Sequence, residues 1–341
     1  MAGDGARLPV TVLTGFLGSG KTTLLRRLLG AAGMDRTAVL INELGEIGLD
    51  HLLVREVHEG AVLLQNGCLC CSLRGDLQQG LRDLLDGRSG RLPAFDRIVI
   101  ETTGLADPAP IVHTLVADPM LRHQVRLANV VTTVDGVHGE GQLDSHAESL
   151  RQAAMADRLV LTKTDIARPA GIARLRGRLA RVNATAALID AVTDLRHPAE
   201  LLNQGLADPA TRLIEVRRWL AAPADSHDHG HHGGAHHADV RSFSLRIEQP
   251  VDWTAFGVWL TSLLYCHGRK VLRVKGLLNV ADLPDRPVVL HGVQTTIHPP
   301  THLDAWPDAD RASRLVFIVQ GLDPAAIRRS MTAFLAAAAR L

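Results

Sequence analysis

Eight consecutive residues near the N-terminus have the types and spacing of a phosphate-binding loop. Residues 15–22 read Gly-Phe-Leu-Gly-Ser-Gly-Lys-Thr and satisfy the pattern G-x-x-x-x-G-K-[ST] at every specified position. Glycines let backbone N–H groups surround a β-phosphate, while the lysine bridges the β- and γ-oxygens and the threonine hydroxyl ligates Mg²⁺. The residues that this pattern predicts to bind the nucleotide are Gly15, Gly18, Ser19, Gly20, Lys21 and Thr22.

An acidic residue follows a second apolar segment, as a phosphate-binding loop requires. Residues 97–100 read Arg-Ile-Val-Ile, and Glu101 comes next, followed by Thr-Thr-Gly. Ligands of parallel sheets collect at the carboxyl ends of strands, so we expect Glu101 to hold Mg²⁺, through a water molecule. The N–H group of Gly104 is a candidate sensor of the γ-phosphate.

A third segment indicates which base the site accepts. The apolar residues 159–161 lead into Thr162, Lys163, Thr164 and Asp165. A carboxylate at the position of Asp165 accepts hydrogen bonds from guanine N1 and N2, and adenine has an acceptor at N1. The stem of Lys163 would lie along the base. Thr162 replaces the asparagine usual in GTPases, so its bracing hydrogen bond must be made differently. GTP is therefore favoured over ATP.

Three of the four cysteines fall within four residues and indicate a metal site. Cys68, Cys70 and Cys71 form a C-x-C-C motif, and thiolates are ligands for Zn²⁺-type ions. Glu43 is the first candidate for a further ligand, with water as the alternative. The alternatives to a metal site are a redox-active pair of thiols or cysteines that only pack in the core. Cys266 lies in an apolar stretch, which favours a core position.

Six of the 17 histidines lie in a short, aperiodic tract. The tract could hold Zn²⁺, Ni²⁺ or Co²⁺ weakly for capture or transfer, or it could be a low-complexity linker without a metal role. The candidate ligands are His227, His229, His231 and His232, with His236 and His237 after them.

The pattern of apolar segments predicts two domains. Short β-rich runs alternate with amphipathic segments up to about residue 215, which is typical of a doubly wound, mostly parallel α/β sheet. Alternating strands and two helices after residue 240 favour a smaller α+β domain. The predicted boundaries are 1–218 for the nucleotide domain, 219–239 for a His-rich linker and 240–341 for the second domain. Within these, residues 144–155 and 253–264 are predicted helices and 288–297 a strand.

Composition excludes several classes of partner. The 341 residues carry a net charge of +1 and only 3% aromatic side chains, which argues against binding of nucleic acid or an anionic membrane. No apolar run is long enough to span a bilayer. No export signal is visible at the N-terminus, so we expect a cytoplasmic protein.

Together, the motifs closely resemble those of the CobW-type metallochaperone GTPases. The segments are GFLGSGKTT, NELGEIG, GCLCC, ETTGLADP, TKTD, the His-rich linker and RVKGLLNV with the residues that follow it. The resemblance covers nearly the whole chain and implies a SIMIBI-class P-loop GTPase fused to a CobW C-terminal domain. It adds Thr23 to the nucleotide-binding residues and implies a Zn²⁺ site at the C-x-C-C motif, with Co²⁺ or Ni²⁺ in some members.

The leading hypothesis is a GTPase that delivers Zn²⁺ to a client metalloprotein, with metal occupancy and GTP hydrolysis coupled. Glu43 and Asp50 are the candidates for the hydrolytic base. A zinc sensor or buffer with negligible turnover, a cobalamin-synthesis accessory protein, and a P-loop kinase or ATPase with structural cysteines are the alternatives. The client stays open, as does the oligomeric state, for which a homodimer is one option.

Overall fold

The computed structural model describes residues 7–34, 36–42, 62–66, 73–87, 94–195, 197, 200–203, 209–221 and 240–338. Packing divides the chain into two units. The first consists of Met1–Gly177 and Ala186–Pro209, and the second of Arg178–Thr185 and Ala210–Leu341. No helix in the described ranges is long and apolar enough to cross a membrane.

The first unit contains a parallel sheet of seven strands, which confirms the predicted α/β class. The strands lie side by side in the order β3-β2-β4-β1-β5-β6-β7, and every neighbouring pair is parallel. Val12, for example, pairs with Ile100 on one side and Val130 on the other. The strands are β1 (Leu8–Gly15), β2 (Thr37–Asn42), β3 (Val62–Asn66), β4 (Arg97–Glu101), β5 (Val125–Asp135), β6 (Arg158–Thr162) and β7 (Ala187–Asp190).

Helices follow most of these strands, as expected when parallel strands are joined by crossovers. They are α1 (Lys21–Leu29), α2 (Leu73–Gly87), α3 (Ala109–Ala117), α4 (Leu121–Gln124), α5 (Gly139–Ser145), α6 (Ala147–Met155), α7 (Pro169–Val182) and α8 (Glu200–Asn203). The central strands are buried along their length, as in Val10, Val99 and Val160. Burial on both faces explains why these strands are almost continuously apolar in sequence.

The prediction of one helix over residues 144–155 is wrong. The segment forms the end of α5 and the whole of α6, and His146 separates them with φ −131° and ψ 114°. These angles are extended, so the helical hydrogen-bond ladder cannot pass through His146. The side chain of His146 stacks against Phe16 at 4.5 Å between ring centroids.

The second unit contains an antiparallel sheet with the last two helices packed against it, as the predicted α+β class requires. The strand order is β11-β10-β9-β13-β8, and β12 pairs with β10. The core includes Phe243, Trp259, Phe317 and Ile327, contributed by strands and by the last two helices. The elements are α9 (Pro209–Leu220), β8 (Val240–Ile247), α10 (Trp253–His267), β9 (Val271–Leu278), β10 (Val288–Val293), β11 (Thr296–Ile297), β12 (Thr301–His302), β13 (Ser313–Gln320) and α11 (Pro324–Ala338).

Two predictions for this unit are wrong. Residues 288–297 are not one strand, because Gln294 has φ +49° and turns the chain so that β11 pairs antiparallel with β10. Cys266 is exposed rather than part of the core. It lies in the last turn of α10, after Leu263 and Leu264, which are the last buried residues of that helix.

Candidate functional site

The phosphate loop, residues 15–22, connects the end of β1 to the start of α1. Gly20 has φ +89° and forms the N-cap of α1, a left-handed conformation that glycine adopts without strain. The turn is closed by a hydrogen bond from the N–H of Ser19 to the carbonyl of Phe16 at 3.1 Å. The first N–H groups of a helix have no partner within the helix, so this junction is suited to an anion.

The two side chains with the clearest predicted chemistry are held within this site. Lys21 Nζ donates to the carbonyl oxygens of Gly15 at 2.9 Å and Phe16 at 3.2 Å. Thr22 Oγ1 donates to Glu101 Oε1 at 2.8 Å. Glu101 ends β4, next to β1 in the sheet, and is 4% exposed. A hydroxyl and a carboxylate in contact beside a phosphate-binding loop are a donor set that fits Mg²⁺.

Buried hydroxyl groups connect the phosphate loop to neighbouring strands. Ser19 Oγ and Thr133 Oγ1 are 2.6 Å apart, and Thr162 Oγ1 donates to the carbonyl of Ser19 at 2.8 Å. The bond from Thr162 to Ser19 links this position to the phosphate loop, so the threonine makes a bracing contact of its own in place of the usual asparagine. Sequence reasoning missed Thr133, although a threonine near the carboxyl end of an apolar strand is a usable signal.

The segment predicted to contact the base is held in place by an ion pair between Lys163 and Asp135. Lys163 has φ +56°, and its Nζ lies 2.6 Å from Oδ2 of the buried Asp135 at the end of β5. The other carboxylate oxygen of Asp135 accepts from the N–H groups of Val137 at 2.8 Å and His138 at 3.0 Å. Burial raises the pKa of Asp135, but the hydrogen bonds from Lys163 and these N–H groups outweigh it and hold the pKa below its usual value. Asp165, the predicted guanine ligand, is exposed on the same loop.

A second aspartate that the sequence did not single out supports the next residue of this loop. Asp190 ends β7 and accepts from Thr164 Oγ1 at 2.7 Å and from Arg176 at 3.2 Å. It also accepts from the N–H of Val192 at 2.9 Å. Burial raises the pKa of Asp190, and these hydrogen bonds, with the charge of Arg176, lower it below its usual value overall. Its position at a strand end was the available signal.

The segment after Glu101 lies directly against the phosphate loop. A Cβ atom on Gly104 would lie 2.7 Å from the backbone nitrogen of Leu17 and 2.8 Å from its Cα. Thr102 anchors the start of the segment, because its N–H donates to the carbonyl of Leu13 at 2.9 Å and its hydroxyl to Thr14 Oγ1 at 2.8 Å. The predicted γ-phosphate sensor therefore sits beside the predicted phosphate-binding residues.

The predicted transition-metal ligands lie outside the described residues. These are Cys68, Cys70 and Cys71, the candidate ligand Glu43, and the histidines 227, 229, 231 and 232; Asp50 also lies outside. Within the ranges that the structure describes, no group of three or more His, Cys, Asp or Glu side chains could hold a metal ion.

Comparison with known proteins identifies relatives of both parts of the chain. Residues 9–190 match the family described as CobW/HypB/UreG, nucleotide-binding domain, and residues 240–335 match the cobalamin synthesis protein cobW C-terminal domain. The chain is 34% identical over 311 residues to the zinc chaperone YjiA of Escherichia coli, covering 91% of this chain and 93% of that protein. It is 33% identical over 364 residues to the zinc chaperone CobW of Pseudomonas aeruginosa, covering 97% and 92%.

A solved structure supports the same relationship. The crystal structure of Zn(II)-bound YjiA GTPase from E. coli superposes with a TM-score of 0.70 and 27% sequence identity. The superposition covers 96% of this chain and 99% of that one.

Proposed function

The chain belongs to the CobW/HypB/UreG family, and we propose that it is a GTP-hydrolysing metallochaperone. It binds Zn²⁺ through Cys68, Cys70 and Cys71 and delivers the ion to a client metalloprotein. GTP is its nucleotide and Mg²⁺ its cofactor, while Co²⁺ and Ni²⁺ are alternative cargoes. The relatives named zinc chaperones support the choice of Zn²⁺.

The observation that carries the proposal is the meeting of three strand ends at one site. The phosphate loop follows β1, Glu101 ends β4, and the Lys163 loop follows β6. Thr22 and Glu101 are in hydrogen-bond contact at 2.8 Å, and Thr162 contacts the phosphate loop through Ser19. The segments predicted to bind the phosphates, the metal and the base all follow or end strands at the carboxyl edge of one parallel sheet, which supports the proposal.

Hydrolysis transfers the γ-phosphoryl group of GTP to water, yielding GDP and phosphate. Lys21 and the N–H groups at the start of α1 place positive charge where the phosphate oxygens lie, and positioning with charge stabilisation accounts for most catalysis of this type. Mg²⁺, held by Thr22 and Glu101, supplies further neutralisation of the phosphate charge when bound. Asp165 selects guanine by accepting from its N1 and N2 groups.

Coupling to the cargo follows from the order of motifs. The acidic segment that contains Glu43 lies between the phosphate loop and the C-x-C-C motif in sequence. If one segment contacts both the γ-phosphate and the metal, each ligand changes the affinity for the other by the same factor. The GTP-bound protein and the GDP-bound protein would then differ in their affinity for the metal, and hydrolysis would convert the first state into the second.

Two binding measurements test the nucleotide and the cargo separately. GTP and ATP compete against a fluorescent GDP analogue, and we expect GTP to bind at least tenfold more tightly. Zinc binding is followed with a chromophoric indicator, and we expect one high-affinity ion in the wild type that is lost in Cys70→Ser. Equal affinity for ATP would support the kinase or ATPase alternative. Zinc binding unaffected in Cys70→Ser would remove the motif from the proposed site.

Delivery distinguishes the metallochaperone from a zinc sensor or buffer. The zinc-loaded protein is mixed with candidate apo-metalloproteins in the presence of GTP or GDP, and transfer is read from the recipient's activity. Transfer that depends on GTP supports delivery. A protein that binds zinc and GTP but transfers to no recipient faster than free zinc does would instead support a sensor or buffer.

A further inference from the structure

The side chain of Gln152 on α6 is fully buried against the segment that follows β4. Its exposed fraction is 0%, and its Nε2 donates to the carbonyl oxygens of Gly104 at 3.1 Å and Ala106 at 2.9 Å. One amide nitrogen has two N–H groups, so both bonds can form at once. Gln152 therefore contacts the predicted γ-phosphate sensor directly, although sequence reasoning gave it no role.

The orientation of the Gly104 N–H group is determined from both sides. This N–H shares a peptide plane with the carbonyl of Thr103, and in a trans peptide the two groups point in opposite directions. The carbonyl of Thr103 accepts from the N–H of Ala106 at 3.2 Å. Gln152 holds the following peptide plane through the Gly104 carbonyl. Glycine has the greatest backbone freedom of any residue, so these two constraints are needed to keep one orientation.

The helix that carries Gln152 also contacts the phosphate loop. His146, at the N-cap of α6, stacks against Phe16, whose carbonyl accepts from Lys21 Nζ at 3.2 Å. The backbone carbonyl of Gln152 accepts from Thr132 Oγ1 on β5 at 3.0 Å. Helix α6 is thus attached to the phosphate loop, to the sheet and to the segment after β4.

We propose that Gln152 is a positioning residue that holds Gly104 in the orientation that recognises the γ-phosphate. Gln152 does not touch the nucleotide; it acts through two backbone carbonyls. GTP and GDP differ at the γ-phosphate, so loss of Gln152 should affect GTP recognition and hydrolysis while sparing GDP. The proposal rests on the proposed GTPase function and adds to it the residue that sets discrimination between the two nucleotides.

Two substitutions remove or invert the donor while keeping similar size. Gln152→Met removes both hydrogen bonds, and Gln152→Glu places a carboxylate against two carbonyl oxygens at neutral pH. We expect GTPγS affinity to fall about tenfold in the methionine variant and further in the glutamate variant, since each net hydrogen bond corresponds to a few-fold change in affinity. GDP affinity should stay within about twofold of wild type, which also shows that the variants are folded.

A pH series separates hydrogen-bond donation from packing. Burial raises the pKa of a carboxylic acid, and the carboxyl group introduced by Gln152→Glu would regain one donor once protonated. The GTP hydrolysis rate of Gln152→Glu, divided by that of wild type at the same pH, should therefore rise about fivefold from pH 8 to pH 6. The same ratio for Gln152→Met should stay constant. The matched controls are Gln124→Met and Gln124→Glu, because Gln124 is exposed on α4.

The possible outcomes distinguish a failure of the positioning role of Gln152 from a failure of the proposed GTPase function. Equal losses of GTPγS and GDP affinity, or no loss of either, would overturn the positioning role. A ratio for Gln152→Glu that does not change with pH would also overturn it. Wild-type protein that binds no guanine nucleotide would contradict the proposed function together with this inference.

Discussion

Threonine hydroxyl groups from neighbouring strands hold the phosphate loop and the end of β1 in place. Thr162 and Thr133 contact Ser19, and Thr102 contacts Thr14. Each hydroxyl is buried, and a buried polar group that loses its partner costs about 1–3 kcal/mol. The loop is therefore organised by side chains of β5, β6 and the segment after β4, and does not depend on its own glycines alone.

Thr162→Val tests this bracing. The substitution removes the bond to the Ser19 carbonyl, so we expect GTP and GDP affinities to fall together by about fivefold to tenfold, corresponding to about 1–1.4 kcal/mol. The measurement is a competition titration with a fluorescent GDP analogue. Thr254→Val is the control, because Thr254 is exposed on α10. Unchanged affinity in Thr162→Val would show that the bond does not support the loop.

The lowered pKa of Asp135 predicts that the stability of the folded protein depends on pH. Its pKa in the folded protein lies below the usual value of 3.8, so the unfolded chain binds the proton more readily. The resulting stabilisation is complete above about pH 5 and is lost as pH falls through the lowered pKa. Urea unfolding of wild type and Asp135→Asn should therefore show a stability difference that is constant from about pH 5 to 7 and shrinks below about pH 4. A difference that stays constant down to about pH 3 would contradict this role.

The residues of the phosphate loop were predictable, while their supports were not. The motif identifies Lys21 and Thr22 because their chemistry is tied to fixed spacing. Asp135, Asp190 and Gln152 lie in segments with no such pattern, and only the fold brings them to the site. Their contacts are made across separations of 28, 26 and 48 residues, which no local pattern encodes.

At the scale of elements, the central strands of the parallel sheet were predicted and its edges were missed. The apolar runs at residues 10–14, 37–41, 97–100, 129–134 and 159–162 predict β1, β2, β4, β5 and β6, since strands buried on both faces are apolar along their length. β3 and β7 occupy the two edges of the sheet. They read VLLQN and ALID and contain one β-branched residue each, fewer than β4 or β6, so the pattern does not separate them from a helix or a loop.

The close approach of the segment after β4 to the phosphate loop gives a test at this scale. Gly104→Ala would place a methyl group within 2.8 Å of Leu17 backbone atoms, so one of the two segments must shift. Displacements of this kind can cost about a hundredfold in rate, and single-turnover GTP hydrolysis should fall by that order. Gly141→Ala is the control, since a Cβ there meets nothing within 4 Å. Equal rates in the two variants would contradict the proposed contact.

At the scale of the whole molecule, the two predicted fold classes are confirmed. The predicted nucleotide-binding residues are not shared equally between the two units. The described residues that are predicted to bind the nucleotide all lie in the first unit, and residues 9–190 of the chain match the nucleotide-binding family. The second unit, with its antiparallel sheet, matches the CobW C-terminal domain over residues 240–335. The boundaries at residues 218 and 239 stay predictions, as do the ligands at the C-x-C-C motif.

The coupling of metal occupancy to GTP hydrolysis is central to the proposed function. Coupling requires the wild type to respond to zinc and a variant without the thiolates to lose that response. We expect the response to zinc to depend on Cys68, Cys70 and Cys71. Replacing all three by serine does not alter the residues of the phosphate loop or Glu101. That triple variant separates the metal effect from general damage to the GTPase site.

The most direct measurement is the GTP turnover number of metal-free protein before and after one equivalent of Zn²⁺, with free metal buffered by a chelator. We expect turnover of the wild type to change at least threefold, equivalent to a change of about 0.7 kcal/mol or more in the activation free energy. The triple serine variant should turn over GTP at the metal-free rate under both conditions. Equal turnover of wild-type protein with and without bound zinc would contradict the coupling.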